Sequence, residues 1–175
     1  INSKKIIFRA DLNVPVVKGK ITDYSRIDSI IPSLRKLIKN KNKIFIIAHY
    51  GRPKGKPDNK LSIKFLCEEL RKKLKISNVH FLKTINFEEI KNKQYEMNEG
   101  EICLFENIRF YKEEEDNILE FSKNLSLNFD LYINEAFSVS HRNHSSIVGI
   151  PNFLKSYAGL NFIKEIINLN TFLNK

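Results

Sequence analysis

Seven arginines stand among twenty-three lysines in this 175-residue chain, and five of the seven recur in one setting. Arg9 closes the apolar run Lys5-Ile6-Ile7-Phe8. Arg52 follows the run Lys43 to Ala48, Arg109 follows Glu101 to Phe105, and Arg142 follows Asp130 to Ile133. Arg26 opens an amphipathic segment soon after the first run. A guanidinium is a planar fork that grips a carboxylate or phosphate at two points, where lysine offers one point charge. Several forks at the ends of apolar runs predict a pocket for a small, multiply charged anion.

Other polar groups share those ends. If the first run stays extended to Pro15, period two puts Arg9, Asp11 and Asn13 on one side and Ala10, Leu12 and Val14 on the other. Asp11 and Asn13 would then accept hydrogen bonds from ligand hydroxyls; equally, they serve as turn residues where the strand meets solvent. In the stretch His49-Tyr50-Gly51-Arg52, an imidazole and a fork flank a glycine that lets the backbone approach closely. Phe105 to Phe110 and Ser140 to Ser145 complete the set.

Other chemistries fit less well. His49, His141 and His144 could hold a metal, but Arg52 and Arg142 beside them oppose a divalent cation. No Gly-x-Ser-x-Gly elbow supports a serine triad. Neither phosphate-loop glycine pattern is present, so the anion is bound without an evident nucleotide loop. Cys67 and Cys103 read as small buried hydrophobes of a reducing compartment. The net charge of +10 comes from scattered lysines, whereas a nucleic-acid footprint clusters. No run approaches the roughly 18–20 apolar residues of a membrane span. The chain opens at Ile1 with no signal-peptide pattern, which leaves open a targeting segment ahead of it.

The elements that must position these residues alternate. Buried strands are expected at 5–10, 43–48, 79–82, 101–106 and 130–135, each short, apolar and rich in Ile, Val, Phe and Tyr, as strands covered on both faces tend to be. Helices are expected from an Asp23 cap to Asn40 with a break or kink at Pro32, from a Ser62 cap to about Lys75, over 86–93, from Asp116 to Leu127, and over 159–173. Such spacing implies βαβ crossovers and an α/β fold with a parallel sheet, whose ligands bind beyond the carboxyl ends of the strands.

At these residues the sequence resembles the phosphoglycerate kinase family, specifically its N-terminal domain. The family's Arg-x-Asp-x-Asn-Val-Pro is matched by Arg9 to Pro15, and its His-x-Gly-Arg-Pro-Lys-Gly by His49 to Gly55. Its Glu-Asn-x-Arg-Phe-Tyr-x-Glu-Glu-Glu is matched by Glu106 to Glu115. Its Asn-Asp-Ala-Phe and His-Arg-x-His-x-Ser are matched, with one change, between Asn134 and Ser146. The likeness runs from about Lys4 to the end. Three positions depart from the pattern: Glu135 stands where Asp is usual, Ser138 where Gly is frequent, and Tyr50 where Leu is commoner.

The resemblance implies a Rossmann-like three-layer αβα sandwich with a mainly parallel sheet. It implies a cytoplasmic, monomeric glycolytic enzyme that moves a phosphoryl group between 1,3-bisphosphoglycerate and Mg-ADP, giving 3-phosphoglycerate and Mg-ATP. Residues 1–158 would form the phosphoglycerate-binding domain and 159–175 the start of the interdomain helix and hinge. The nucleotide would bind a C-terminal domain beyond Lys175, leaving no cofactor, metal, nucleic acid or membrane as a partner of this chain, and no turnover by it alone. Asp11 and Asn13 would take the glycerate end. Arg26, His49, Arg52, Arg109 and Arg142 would grip the phosphate, with Arg26 also steadying the transferring group. Arg9 and His141 would support them. A stand-alone anion-binding module and a basic nucleic-acid-binding α/β domain are the competing readings.

Overall fold

The computed structural model describes residues 1–173. Five strands form where expected: β1 (Lys5–Arg9), β4 (Lys43–Ile47), β5 (Val79–Leu82), β6 (Ile102–Phe105) and β7 (Leu131–Asn134). Among the strands, two elements were not foreseen. One is the hairpin of β2 (Val16–Val17) and β3 (Lys20–Ile21), turning through Lys18 and Gly19 at φ of 49° and 75°. Successive positive φ values suit the twist of a tight hairpin. The other is β8 (Ser156–Ala158), a short exposed edge strand.

The six-stranded sheet has the order β5-β6-β4-β1-β7-β8, and every adjacent pair is parallel. Residues of each central strand alternate between two cores. Ile6, Phe8, Ile44, Ile46, Ile102, Leu104, Leu131 and Ile133 face one side, where α1 (Ser25–Lys39) and α2 (Leu66–Leu74) pack. Ile7, Phe45, Ile47, Cys103, Phe105 and Tyr132 face the other, with Ile90 of α3 (Phe87–Glu96) and Leu125 of α5 (Leu119–Ser126). Burial on both faces explains the unbroken apolar runs. The result is a three-layer αβα arrangement.

The helices show where local rules yield. Asp23 accepts from the Ser25 amide at 2.7 Å, one residue outside the first turn, and α1 runs unbroken through Pro32. The carbonyl that Pro32 cannot serve belongs to Asp28, an exposed residue. Ser62 does not cap α2 itself. Its hydroxyl donates to Glu106 at 2.7 Å and accepts from the Lys64 amide at 3.3 Å, and α2 starts only at Leu66, after a turn in which Leu66 and Cys67 donate to Ile63 and Lys64. Asn86 caps α3 through the amides of Glu88 and Glu89. The helix expected from Asp116 to Leu127 forms as α5 (Leu119–Ser126) alone, starting three residues late because Asn117 turns the chain at φ 52°; a separate short helix, α4 (Lys112–Glu115), precedes it and was not foreseen. Helix α6 (Leu160–Leu173) closes the described chain; the final two residues of the expected hinge segment lie outside the described residues.

Both cysteines are free and buried, and burial pushes the thiols of Cys67 and Cys103 up to about 11 and about 12. No described helix is long and apolar enough to cross a membrane.

Candidate functional site

Four adjacent strands, β6, β4, β1 and β7, send their carboxyl ends to one edge of the sheet, and each carries an arginine there. Strand β1 delivers Arg9 in register with Ile47 and Asn134. Its alternation continues past the last ladder bond: Ala10, Leu12 and Val14 remain in the core with Ile6 and Phe8. The alternation of side chains expected from Arg9 to Val14 therefore holds, with Asp11 and Asn13 away from that core, but the ladder ends at Arg9 and the backbone turns at Asn13, where the Val14 amide donates to the Leu12 carbonyl at 2.8 Å.

Arg9 is wholly buried and its donors are committed. Nε donates to Ser146 Oγ at 2.8 Å, one terminal nitrogen donates to the Ala10 carbonyl, and the other stands 3.3 Å from His49 Nδ1. Since a guanidinium only donates, Nδ1 must accept, which leaves the proton of His49 on Nε2. Burial first, then the charges of Arg9, Arg109, Arg142 and Arg26, push His49 down to about 2. It is a neutral imidazole inside a ring of cations.

Asp11 is paired. Arg26 and the hydroxyl of Ser138 both donate to its Oδ2, and the Asn13 amide donates to Oδ1 at 3.2 Å. Asn13 in turn accepts from the Gly51 amide at 2.9 Å, tying the loop after β4 to the end of β1. That loop needs its glycine. Gly51 has φ 62°, and a Cβ there would come 2.7 Å from a Leu61 methyl carbon.

Asn107 knots the β4 and β6 loops together. It accepts from the Tyr50 amide at 3.2 Å and donates to the carbonyls of Tyr50 and Leu61 at 2.7 and 2.9 Å. Arg109 follows, almost fully buried, with one terminal nitrogen donating to the Gly51 carbonyl at 3.1 Å. Its Nε lies 3.5 Å from Glu115 without hydrogen-bond geometry. Burial, then the charge of Arg142, lowers its pKa. Arg109 Nε and Nη2, together with Arg142 Nε, are buried and have no hydrogen-bond partner among the described residues. Buried donors in folded proteins are almost always paired, so three orphans in one cationic cluster call for an acceptor.

The structure thus gathers Arg9, Arg26, His49, Arg109 and Arg142, with Asp11 and Asn13 beside them. It does not draw in Arg52 or His141; both are exposed, with no hydrogen bond or ion pair among the described residues. Nor do the three histidines converge. His49 adjoins Arg9, His141 faces solvent and His144 Nδ1 sits 3.8 Å from Glu114. Among the described residues no group of three His, Cys, Asp or Glu could hold a metal. Beside the cluster, a cavity of about 340 Å³ opens between Asp11, Arg26, Ser138, Glu135 and Glu165.

Residue-by-residue reading missed Glu114, Ser146, Asn107 and Ser138. Each acts on a partner far away in the chain; Glu114, Ser146 and Asn107 were signalled only by their position inside the matched motifs, and Ser138 only as a departure from the family pattern.

The phosphoglycerate kinase family model matches residues 1–175. The chain belongs to the phosphoglycerate kinase family. The phosphoglycerate kinase of Leptospira biflexa is 40% identical over 175 residues, which is 100% of this chain and 44% of that protein. That of Chelativorans sp. is 40% identical over 166 residues, 95% of this chain and 42% of the relative. The chain therefore spans less than half the length of the curated relatives it matches. The structure of phosphoglycerate kinase from Coxiella burnetii superposes with a TM-score of 0.84 at 31% identity, over 97% of this chain and 42% of the other. The Pyrococcus horikoshii enzyme gives 0.84 at 28% identity, over 94% and 42%. The superposition on these solved structures bears out the α/β fold with a mainly parallel sheet expected from the strand–helix alternation.

Proposed function

We propose that this chain is the phosphoglycerate-binding half of a phosphoglycerate kinase, acting in reversible phosphoryl transfer between 1,3-bisphosphoglycerate and Mg-ADP in glycolysis. The observation that carries the reading is the set of unpartnered, buried guanidinium donors of Arg109 and Arg142 around a neutral His49. Neutral His49 adds a hydrogen-bonding group without adding repulsion among the cations. Arg109 and Arg142 would hold the phosphate of 3-phosphoglycerate, with Arg52 swinging in from the loop after β4. Asp11 and Asn13 would take the glycerate end.

Arg26 is the group proposed to meet the reacting atoms. Its side chain is 42% exposed and pairs with Asp11, so it can exchange that partner for charge developing on the transferring group. Such a transfer asks for positioning and charge stabilisation more than covalent chemistry. Arg9 and His141 would play supporting parts.

Residues 1–158 would be the substrate domain and 159–175 the start of the connection to a second, nucleotide-binding domain carrying Mg-ADP or Mg-ATP. Helix α6 supports this division. Phe162 packs edge-on against Phe137 at 5.3 Å, while Ile163, Ile166, Ile167 and Leu169 remain exposed. Closure of a second domain over the arginines would exclude water from an acyl phosphate.

Calorimetric titration of the chain with 3-phosphoglycerate tests the proposal. Binding is expected, with no turnover when Mg-ATP is added. Failure to bind would overturn the assignment of the arginine cluster, and robust turnover would overturn the division of labour between two domains.

A further inference from the structure

A second concentration of cations lies at the opposite end of the sheet. A cavity of about 290 Å³ opens at the N-terminal ends of β1 and β4, lined by Lys4, Lys5, Lys41, Lys43, Lys91 and Gln94 among others. The strands are parallel and five residues long, so at roughly 3.3 Å per residue this mouth stands about 16 Å from the arginines.

Two carboxylates share the rim, and both are matched. Asp130 accepts from the Lys5 amide at 2.6 Å and lies 3.8 Å from the Lys4 ammonium, while Glu99 lies 3.9 Å from that of Lys41. The ammonium groups of Lys5, Lys43 and Lys91 meet no carboxylate among the described residues. Lys43 spends one of its three protons on the Gln94 carbonyl at 2.8 Å and keeps two. Three lysines without a counter-charge converge on one hollow.

Gln94 supplies the independent observation. The residue is 5% exposed, and its side-chain Nε2 is buried with no hydrogen-bond partner among the described residues. A buried amide donor without a partner is costly, and in a folded protein it marks a place where an acceptor belongs. Gln94 and Lys91 stand three apart on α3, on the same face of the helix. An anion is the acceptor that would satisfy Gln94 and at the same time offset the charges of Lys91, Lys5 and Lys43. Three cations favour a multiply charged one over a lone carboxylate, and the cavity is at the small end of the range for ligand pockets.

We propose that this cavity is a second anion site, taking the phosphate or diphosphate group of a small molecule. Gln94 and Lys91 are its central ligands, and it is separate from the arginine cluster. Tyr95 on its rim is 77% exposed and offers a ring face to any organic portion the phosphate carries.

The test is amide-resolved NMR of the full chain, titrated with inorganic pyrophosphate and, separately, with 3-phosphoglycerate, at ionic strength held constant with chloride. Pyrophosphate is expected to shift the amides of Lys43 and of Lys91 to Tyr95, and to do so equally in an Arg142→Ala variant. Lys91→Gln and Gln94→Met should each weaken that response about tenfold, the worth of one charge-assisted hydrogen bond. Lys91 is half-exposed, so its variant keeps the test valid should Gln94→Met disturb the fold. A stronger response to 3-phosphoglycerate than to pyrophosphate at these amides would identify the ligand as an organic phosphate, and the reverse a diphosphate. Shifts confined to the arginine loops, equal shifts with chloride alone, or unchanged affinity in Lys91→Gln would each overturn the proposal.

Discussion

Arg9 and Glu114, both fully buried, face each other across a single hydroxyl: Arg9 Nε donates to Ser146 Oγ at 2.8 Å, and that oxygen donates to Glu114 at 2.6 Å. The Ser146 amide donates to the other carboxylate oxygen at 2.8 Å. Burial lowers the pKa of Arg9, and the charge of Glu114 opposes that shift. The relay fixes Arg9, and Arg9 fixes the tautomer of His49. Glu114→Gln would leave the guanidinium buried without its counter-charge. Removing one member of a buried pair costs about 3–5 kcal/mol. Urea unfolding should show a loss of that order; a loss under about 1 kcal/mol would mean that Arg9 is balanced some other way.

The orphaned donors separate the arginines by expected effect. Arg142→Ala and Arg109→Ala should each weaken 3-phosphoglycerate binding by roughly 10- to 100-fold, the range for charge-assisted hydrogen bonds in a desolvated site. Arg52 is exposed, so its charge is better screened and Arg52→Ala should cost less than about tenfold. Calorimetric titration of the three variants checks the order. If Arg52→Ala proved the most damaging, the loop after β4 would have to close much further over the ligand than its present position suggests.

The neutral His49 makes a prediction about acid. Its ordinary pKa is about 6.5, and in the fold it is pushed down to about 2. Between those values the unfolded chain binds a proton that the folded chain refuses. Stability therefore falls as pH drops below about 6.5, by up to about 1.4 kcal/mol per pH unit for this one group. His49→Asn retains an acceptor for Arg9 and removes the titration. Chemical denaturation from pH 7 to 4.5 should give a shallower slope for the variant. Equal slopes would mean that His49 takes up its proton in the native state.

What could be read from the residues and what could not divides on physical lines. The four strands β1, β4, β6 and β7 were legible because burial on both faces leaves an apolar run, and the edge strand β5 was legible from Val79, Phe81 and Leu82 despite His80. The edge strand β8 carries no such mark: it is exposed throughout and is defined by backbone bonds to β7. Ser62 looked like a helix cap by local rules, yet Glu106, 44 residues away, takes its hydroxyl. In the site, guanidinium type and position after strand ends pointed to Arg9, Arg109 and Arg142, and Arg26 stood out as the opening of the helix that follows the first strand. The same argument ranked Arg52 equally, since sequence does not reveal that it faces solvent. The pairing of Arg9 with Glu114 stayed hidden because it passes through a serine in a turn of π-helix, Ser145–Gly149, that no local pattern foretells.

Glu135, the glutamate where the family pattern has aspartate, joins the site to α6. Its amide donates to the Arg9 carbonyl at 2.9 Å, while its carboxylate accepts from Ser33 at 2.5 Å and from the Asn161 amide at 3.1 Å in the first turn of α6. Burial raises its pKa, so the carboxylate depends on those donors. The added methylene is accommodated by Gly159: a Cβ at that position would lie 1.5 Å from Glu135 Oε2. Gly159→Ala must therefore displace the carboxylate and release the start of α6. Hydrogen exchange should speed up in the amides of 160–164 in this variant. Glu135→Asp shortens the side chain and should restore much of the protection in Gly159→Ala, a coupling expected between residues in direct contact. If the two substitutions simply add, Glu135 and Gly159 do not constrain each other and the glutamate has some other basis.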